Sequence, residues 1–219
     1  MDPADPAYKG QSDYTPFLLS IYDRFVIGFM APRVLRTSTT PLLDQYRELV
    51  GPKHLDVGPG TGWFLDHADL PETTSITLLD PNPNVLEHSR RVLARFDPTT
   101  SEADVLKPLP VAGPYDSAAL NMVLHCLPGP PMNKTPAIRN VAAALADDGV
   151  LFGATVLGRS GLHSRPARVF LKVANRKGAF DNLEDSVDSL RALLSESFEH
   201  VEINTLGSAA TFVARRPRR

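Results

Sequence analysis

The order of apolar runs along the chain predicts an α/β fold. The expected architecture is a doubly wound, mostly parallel seven-stranded sheet with a C-terminal antiparallel hairpin and helices on both faces. Three observations carry this reading. Short apolar runs of strand length alternate with longer stretches of helical periodicity, which implies parallel strands joined by crossover helices. The first clear strand runs directly into a glycine turn, Gly58-Pro59-Gly60-Thr61-Gly62. The last two strand runs are separated only by Gly207-Ser208, the spacing of a hairpin. At 219 residues the chain has the length of one ordinary domain.

Residues 16–31 are apolar at helical spacing, and Tyr14, Tyr22, Phe25, Phe29 and Met30 supply an aromatic and apolar set there. Leu42, Leu43, Tyr46, Leu49 and Val50 share one face of a second helix over 41–50. Thr39 or Thr40 can cap it, with Pro41 at its first position. Residues 54–57 form the strand before the glycine turn, and 63–70 a short helix after it. Residues 75–79 are the second strand, closed by Asp80-Pro81-Asn82. Asn82 can cap the next helix, 84–96, with Pro83 at its first position. A weak third strand is expected over 100–105 and a fourth over 116–123. The helix expected over 136–146 ends at Asp147-Asp148-Gly149, before a fifth strand over 150–156. Residues 157–183 read as an insertion with one amphipathic piece, 165–174. A helix over 183–198 and the paired strands 201–206 and 210–214 complete the chain. This gives an N-terminal helical lid over 1–50 and a main domain over 51–219.

Composition excludes several classes of function. Lys and Arg number 23 against 25 Asp and Glu, so no net field attracts nucleic acid or an anionic membrane. The single cysteine, Cys126, allows no intrachain disulfide and argues against a cysteine-based zinc site. No apolar run approaches the ~20 residues of a membrane span. The acidic, proline-bearing start is unlike a signal peptide. The expectation is a cytoplasmic protein, monomeric or homodimeric, without nucleic-acid or membrane partners. Residues 1–14 and the basic tail, Arg215-Arg216-Pro217-Arg218-Arg219, read as loose ends.

In a sheet of this kind ligands bind beyond the carboxyl ends of the strands, so the glycine turn marks the place. Gly58, Gly60 and Gly62 tolerate positive φ and allow a ligand close to the backbone. A dinucleotide fingerprint would place its third glycine where Trp63 stands, and no Gly-Lys-Ser/Thr follows. A pyrophosphate or triphosphate cradle is therefore disfavoured. Asp80 stands at the tip of the second strand, 18 residues after Gly62, where a carboxylate can accept both hydroxyls of a ribose. Asp104, near the end of the third strand, can accept from an adenine amino group.

The ordered set Leu55-Asp56-Val57-Gly58-Pro59-Gly60-Thr61-Gly62, Leu79-Asp80-Pro81-Asn82, Ala103-Asp104-Val105 and Tyr115-Asp116 to Leu127 resembles the class I S-adenosylmethionine-dependent methyltransferases. The resemblance spans roughly 50–156 and continues through the closing hairpin. It implies a Rossmann-like fold, S-adenosyl-L-methionine as cofactor and S-adenosyl-L-homocysteine as product. It also implies that the glycine turn holds the methionine part, Asp80 the ribose and Asp104 the adenine. Asn121 or Met122 would face the cofactor after the fourth strand, and Tyr22 could reach its carboxylate. Asp56, Pro59, Thr61, Pro81, Asn82 and Val105 complete the expected cofactor set.

The acceptor is less legible. No Asn-Pro-Pro-Tyr clamp for an exocyclic amine occurs, and no acidic cluster suits a divalent metal, so no metal is expected. His125, just beyond the fourth strand, is the preferred general base for a hydroxyl acceptor, with His163 in the insertion its rival. The expected activity is O-methylation of a small molecule, a secondary metabolite, under a cap formed around 157–183. The alternatives are N- or C-methylation, a protein or RNA substrate, and a non-methylating binding member of the fold.

Overall fold

The computed structural model describes Leu35 and residues 37–219. The expected helix over 16–31, Tyr22 and the aromatic set around it lie outside the described residues.

Helix α1 (Thr40–Leu49) leads into β1 (Lys53–Val57), followed by α2 (Trp63–His67), β2 (Ser75–Asp80), α3 (Pro83–Val92) and β3 (Thr99–Glu102). The second half holds β4 (Tyr115–Asn121), α4 (Thr135–Ala144), β5 (Leu145–Val156), α5 (Arg165–Arg176), α6 (Val187–Ser195), β6 (Phe198–Leu206) and β7 (Ala209–Pro217). The seven strands form one sheet in the order β3-β2-β1-β4-β5-β7-β6. The first five run parallel, and β7 is antiparallel to both neighbours, β5 and β6. The expected fold is thus observed, with the order reversing between β1 and β4, where such sheets open a binding crevice.

Strand periodicity divides the buried residues between two faces. Leu55, Val57, Leu120 and Leu151 pack with α4 (Ile138, Val141) and α6 (Leu190, Leu193, Leu194). Ile76, Leu78, Ala119 and Phe152 pack with Tyr46 of α1, Leu65 of α2 and Leu86 of α3. Helix α1 therefore belongs to the packed face of the sheet and not to a lid, since Tyr46 stacks on Phe64 and meets Phe152 edge-on. A smaller cluster gathers Leu35, Val156, Ala167 and Leu171, and it seats α5 beyond the end of β5.

Several boundaries move for identifiable reasons. The Thr39 side chain does not cap α1; the Thr40 N–H instead donates to Ser38 Oγ at 3.3 Å. Asn82 does cap α3, accepting from the Asn84 N–H at 3.0 Å. Asp147-Asp148-Gly149 does not end a helix but bulges within β5, whose pairing jumps from Tyr115–Leu145 to Ser117–Val150. The helix expected to reach 198 stops at Ser195, because Phe198 opens β6 as a fully buried residue. The basic tail is not loose. Pro217 closes β7, and the Arg219 guanidinium donates to the Leu145 carbonyl at 2.9 Å and to Asp147 Oδ1 at 2.7 Å.

Candidate active site

The glycine turn is built as its composition requires. Gly58, Gly60 and Gly62 have φ of +69°, +57° and +81°, the left-handed region in which a side chain is strained. The Gly58 N–H donates to the Leu79 carbonyl at 2.8 Å, tying the turn to the tip of β2. A Cβ on Gly58 would strike the Val123 side chain at 2.6 Å, whereas one on Gly60 would meet no atom within 4 Å. The space beside Gly60 is therefore a cradle left open to a ligand. Helix α2, at five residues, is too short to add much dipole, so recognition rests on the turn and on the acids around it.

Asp80 ends β2 half-buried. Its Oδ1 accepts from the Asn82 N–H at 2.7 Å. Burial pushes its carboxyl up to about 7, against the lowering effect of that hydrogen bond. Asp104 lies two residues past β3. Its Oδ1 accepts from the Leu106 N–H at 2.9 Å, and Lys107 Nζ approaches its Oδ2 at 3.6 Å. Val105 beside it is buried, as is Thr61 in the turn, while Pro59, Pro81 and Asn82 are half-buried around the same edge. Asp80 and Asp104 thus flank the outer side of the turn, since the Ala103 N–H donates to the Asp80 carbonyl.

On the inner side stand Asp56 and Asn121, from the adjacent strands β1 and β4. Both are buried, and Asp56 Oδ1 and Asn121 Oδ1 have no hydrogen-bond partner. Buried acceptors without donors are rare and costly, so this pair is suited to a ligand that brings N–H groups. Met122 follows with φ of +60°, held by its N–H to the Ala154 carbonyl at 2.7 Å. An S-adenosylmethionine molecule fits this set. The turn and the Gly60 cradle would hold its amino-acid arm, Asp80 its ribose and Asp104 its adenine, with Asp56 and Asn121 beside the amino group.

The two histidines are placed differently from what a general base needs. His125 is buried, and its Nδ1 accepts from the Val156 N–H at 3.3 Å, with Thr155 Oγ1 at 3.4 Å. A backbone N–H can only donate, so the proton of the neutral ring sits on Nε2, leaving that nitrogen a donor. Burial, followed by the nearby Lys134 charge, lowers its pKa to about 3. A ring so held takes up a proton poorly, which corrects the expectation of an open base at this position. His163 has both nitrogens engaged, Nδ1 with Ser208 Oγ and Nε2 with the Gly158 carbonyl, each at 3.0 Å. It anchors the start of the insertion.

Sequence reasoning missed the polar knot beside His125. Lys134, only 1% exposed, places Nζ 2.7 Å from Asp185 Oδ2 and 3.0 Å from the Asp181 carbonyl. The Asp181 N–H donates to the His125 carbonyl, and Asp181 Oδ2 accepts from the Gly129 N–H at 2.7 Å. Asn182 joins the same segment to α5 through Asn175 and to β5 through the Val156 carbonyl. Phe180 sits edge-on against His125, with centroids 4.3 Å apart, and Phe170 packs edge-on against Phe180. No local pattern announces these groups, because their partners lie ~50 residues apart in a fold of long-range contacts. Among the described residues no group of three His, Cys, Asp or Glu side chains could hold a metal ion, and no helix is long and apolar enough to cross a membrane.

The glycine turn, the two flanking acids and the reversal point of the sheet make an edge suited to a nucleoside ligand. A family model for the methyltransferase domain matches residues 22–205, and the chain belongs to that family. It is 38% identical over 200 residues to a demethylluteothin O-methyltransferase of Streptomyces thioluteus, covering 90% of this chain and 87% of the relative. It is 36% identical over 216 residues to a physcion biosynthesis cluster O-methyltransferase of Aspergillus chevalieri, covering 97% of each. The N-methyltransferase NodS of Bradyrhizobium japonicum, solved with S-adenosyl-L-homocysteine, superposes with a TM-score of 0.59 at 17% identity, covering 82% of this chain and 85% of that one. The protein is an S-adenosylmethionine-dependent methyltransferase.

Proposed function

We propose that the chain O-methylates a small, flat and largely apolar molecule, a secondary metabolite, in the cytoplasm. The observation that carries this reading is the near full-length similarity to two enzymes named as O-methyltransferases of such products. The half-buried Met122, Phe170 and Phe180, packed together around the end of β5, support an apolar acceptor side. The insertion that carries α5 acts as the substrate cap. The bound cofactor supplies a methyl group already electrophilic on sulfonium sulfur, so what this chain adds is alignment and exclusion of water. The glycine turn, Asp80 and Asp104 bind and orient the nucleoside and its arm. His125 keeps its Nε2–H as a donor and shapes the acceptor wall without taking the acceptor's proton.

The test is methyl transfer from labelled S-adenosylmethionine to 1-naphthol, 4-nitrophenol and a hydroxyanthraquinone, with aniline as the nitrogen control. Product from a phenol and none from aniline is the expected result. Transfer to aniline alone would replace oxygen by nitrogen as the acceptor. Gly60→Val in the same assay should lose at least about tenfold in cofactor affinity, because its side chain enters the open cradle and resists positive φ. Unchanged affinity for S-adenosylhomocysteine in that variant would move the cofactor away from the turn.

A further inference from the structure

Beyond β4 the chain makes a single 3-10 turn, Leu124–Cys126, that carries His125. The residue before it touches the glycine turn, since a Cβ on Gly58 would meet Val123 Cγ2 at 2.6 Å. The His125 residue is fixed from three sides. Its Nδ1 accepts from the Val156 N–H at 3.3 Å, Phe180 meets the ring edge-on, and its carbonyl accepts from the Asp181 N–H at 2.8 Å. The two nitrogens of an imidazole point apart, so Nε2 and its proton point away from β5. Among the described residues the Nε2–H meets no acceptor, and Nε2 is not one of the unpartnered polar atoms sealed inside the protein. It is a donor held rigidly at an open position.

The charged and titratable groups around the turn are otherwise engaged. Lys134 Nζ is paired with Asp185 at 2.7 Å, Asp181 Oδ2 accepts from the Gly129 N–H, and both His163 nitrogens have partners. Strand β5 brings Thr155 and Val156 to the ring, neither of them titratable, and α5 reaches it through Phe170 against Phe180. Cys126, exposed on the same turn, has its thiol pushed up to about 12 by the desolvating protein around it, against the nearby Lys134 charge.

We propose that the methyl acceptor is an acidic phenol or enol that enters the site already ionised, with the His125 Nε2–H donating to its anionic oxygen. This rests on the O-methylation reading above and names the substrate class for that site. An imidazole that offers only an N–H cannot remove a proton from a hydroxyl. It does favour the anion over the hydroxyl, because a hydrogen bond to a charged oxygen is the stronger one. The charge balance agrees. The oxygen lone pair forms the new O–C bond as the C–S bond breaks, and the electrons of that bond stay on sulfur. A negative oxygen and a positive sulfur both become neutral, and no proton has to leave a site without a base. An ordinary phenol, with a pKa of about 10, is ionised in only about one molecule in a thousand at pH 7. The site therefore suits a hydroxyl conjugated to an electron-withdrawing group such as a carbonyl.

The experiment follows 4-nitrophenol, whose anion is coloured, bound to the full chain with S-adenosylhomocysteine so that no transfer occurs. On binding, its ionisation should move about 1–2 pH units below the free value, the effect of one hydrogen bond to a charged oxygen. His125→Phe keeps a ring against Phe180 and removes the donor, so the shift should vanish. His125→Gln retains an N–H and should keep part of it. S-adenosylhomocysteine affinity should stay within about twofold in both variants, which shows that they are folded. An unshifted or raised ionisation in the native chain overturns the proposal, as does a full shift in His125→Phe. Turnover at saturating S-adenosylmethionine gives a second readout. For 1-naphthol, kcat/KM should rise about tenfold per pH unit between about pH 6.5 and 8.5, following the acceptor's own ionisation. A flat profile would place a base on the protein and overturn the proposal, with oxygen still the acceptor. Transfer to aniline and to no phenol would instead overturn the O-methylation reading itself.

Discussion

At the carboxyl ends of β1 and β4 two buried acceptors, Asp56 Oδ1 and Asn121 Oδ1, wait without donors. Beyond β4 and β5, the polar groups around His125 and His163 are spent on the protein itself. The proposed cofactor edge also has an open cradle at Gly60, whereas the proposed acceptor side is stitched by Lys134, Asp181, Asn182 and Asp185. Unsatisfied groups cost stability in the free protein and are repaid by the ligand, while a saturated network gives rigidity and a fixed surface. The contrast matches the chemistry. One ligand carries its own reactive methyl and must be gripped; the other need only be aligned against it.

The sharpest way to break the comparison is to remove the charge from the stitched side. Lys134→Met leaves the buried Asp185 uncompensated, with its Oδ1 already unpartnered and its carboxyl held up by burial. It should cost about 3–5 kcal/mol in a urea titration, and Lys134→Met/Asp185→Leu should recover most of that. A loss under about 1 kcal/mol in the single variant would mean that the knot is ornamental.

The proposed cofactor edge should respond to pH instead. Asp80 titrates near 7 in the folded chain, above the unfolded carboxylate value of about 3.9. A raised carboxyl favours the protonated folded form, so its contribution is fully present below about pH 4 and is lost as pH rises through about 7. Asp80→Asn should therefore stabilise the free protein at pH 8 by about 1–3 kcal/mol, read from denaturation midpoints. The same variant should bind S-adenosylhomocysteine more weakly. In the native chain that affinity should fall by up to about tenfold from pH 7.5 to 6, as the carboxylate that accepts the ribose hydroxyls is protonated. A flat affinity over that range would separate Asp80 from the ribose.

The smallest effect is expected at the histidine that sequence position alone favoured. His125→Gln should lower kcat by less than about tenfold, with no recovery at high pH, because the ring already lacks a free lone pair. A loss of roughly 10²–10⁴-fold, partly restored by raising pH, would reinstate it as the base and erase the contrast.

The glycine turn and the acids at the strand tips could be read from the sequence because their signals are local. A strand, three glycines that must adopt positive φ, and acids at the tips of the next two strands lie within one stretch, and each residue type is tied to its backbone position. The chain alone also determined the strand–helix order and the closing hairpin, since periodicity of 2 or 3.6 is written residue by residue. Tertiary structure decided the rest. Whether a histidine is a base depends on which backbone N–H meets its ring, and Val156 lies 31 residues from His125. Lys134 reads as an ordinary helix-flanking lysine until Asp185, 51 residues on, is brought within 2.7 Å. Tyr46 reads as one apolar face residue among several until the fold stacks it on Phe64 and sets it edge-on to Phe152, 106 residues away. Protonation states, buried ion pairs and shared hydrogen bonds are properties of approach between distant segments, and no local pattern encodes them.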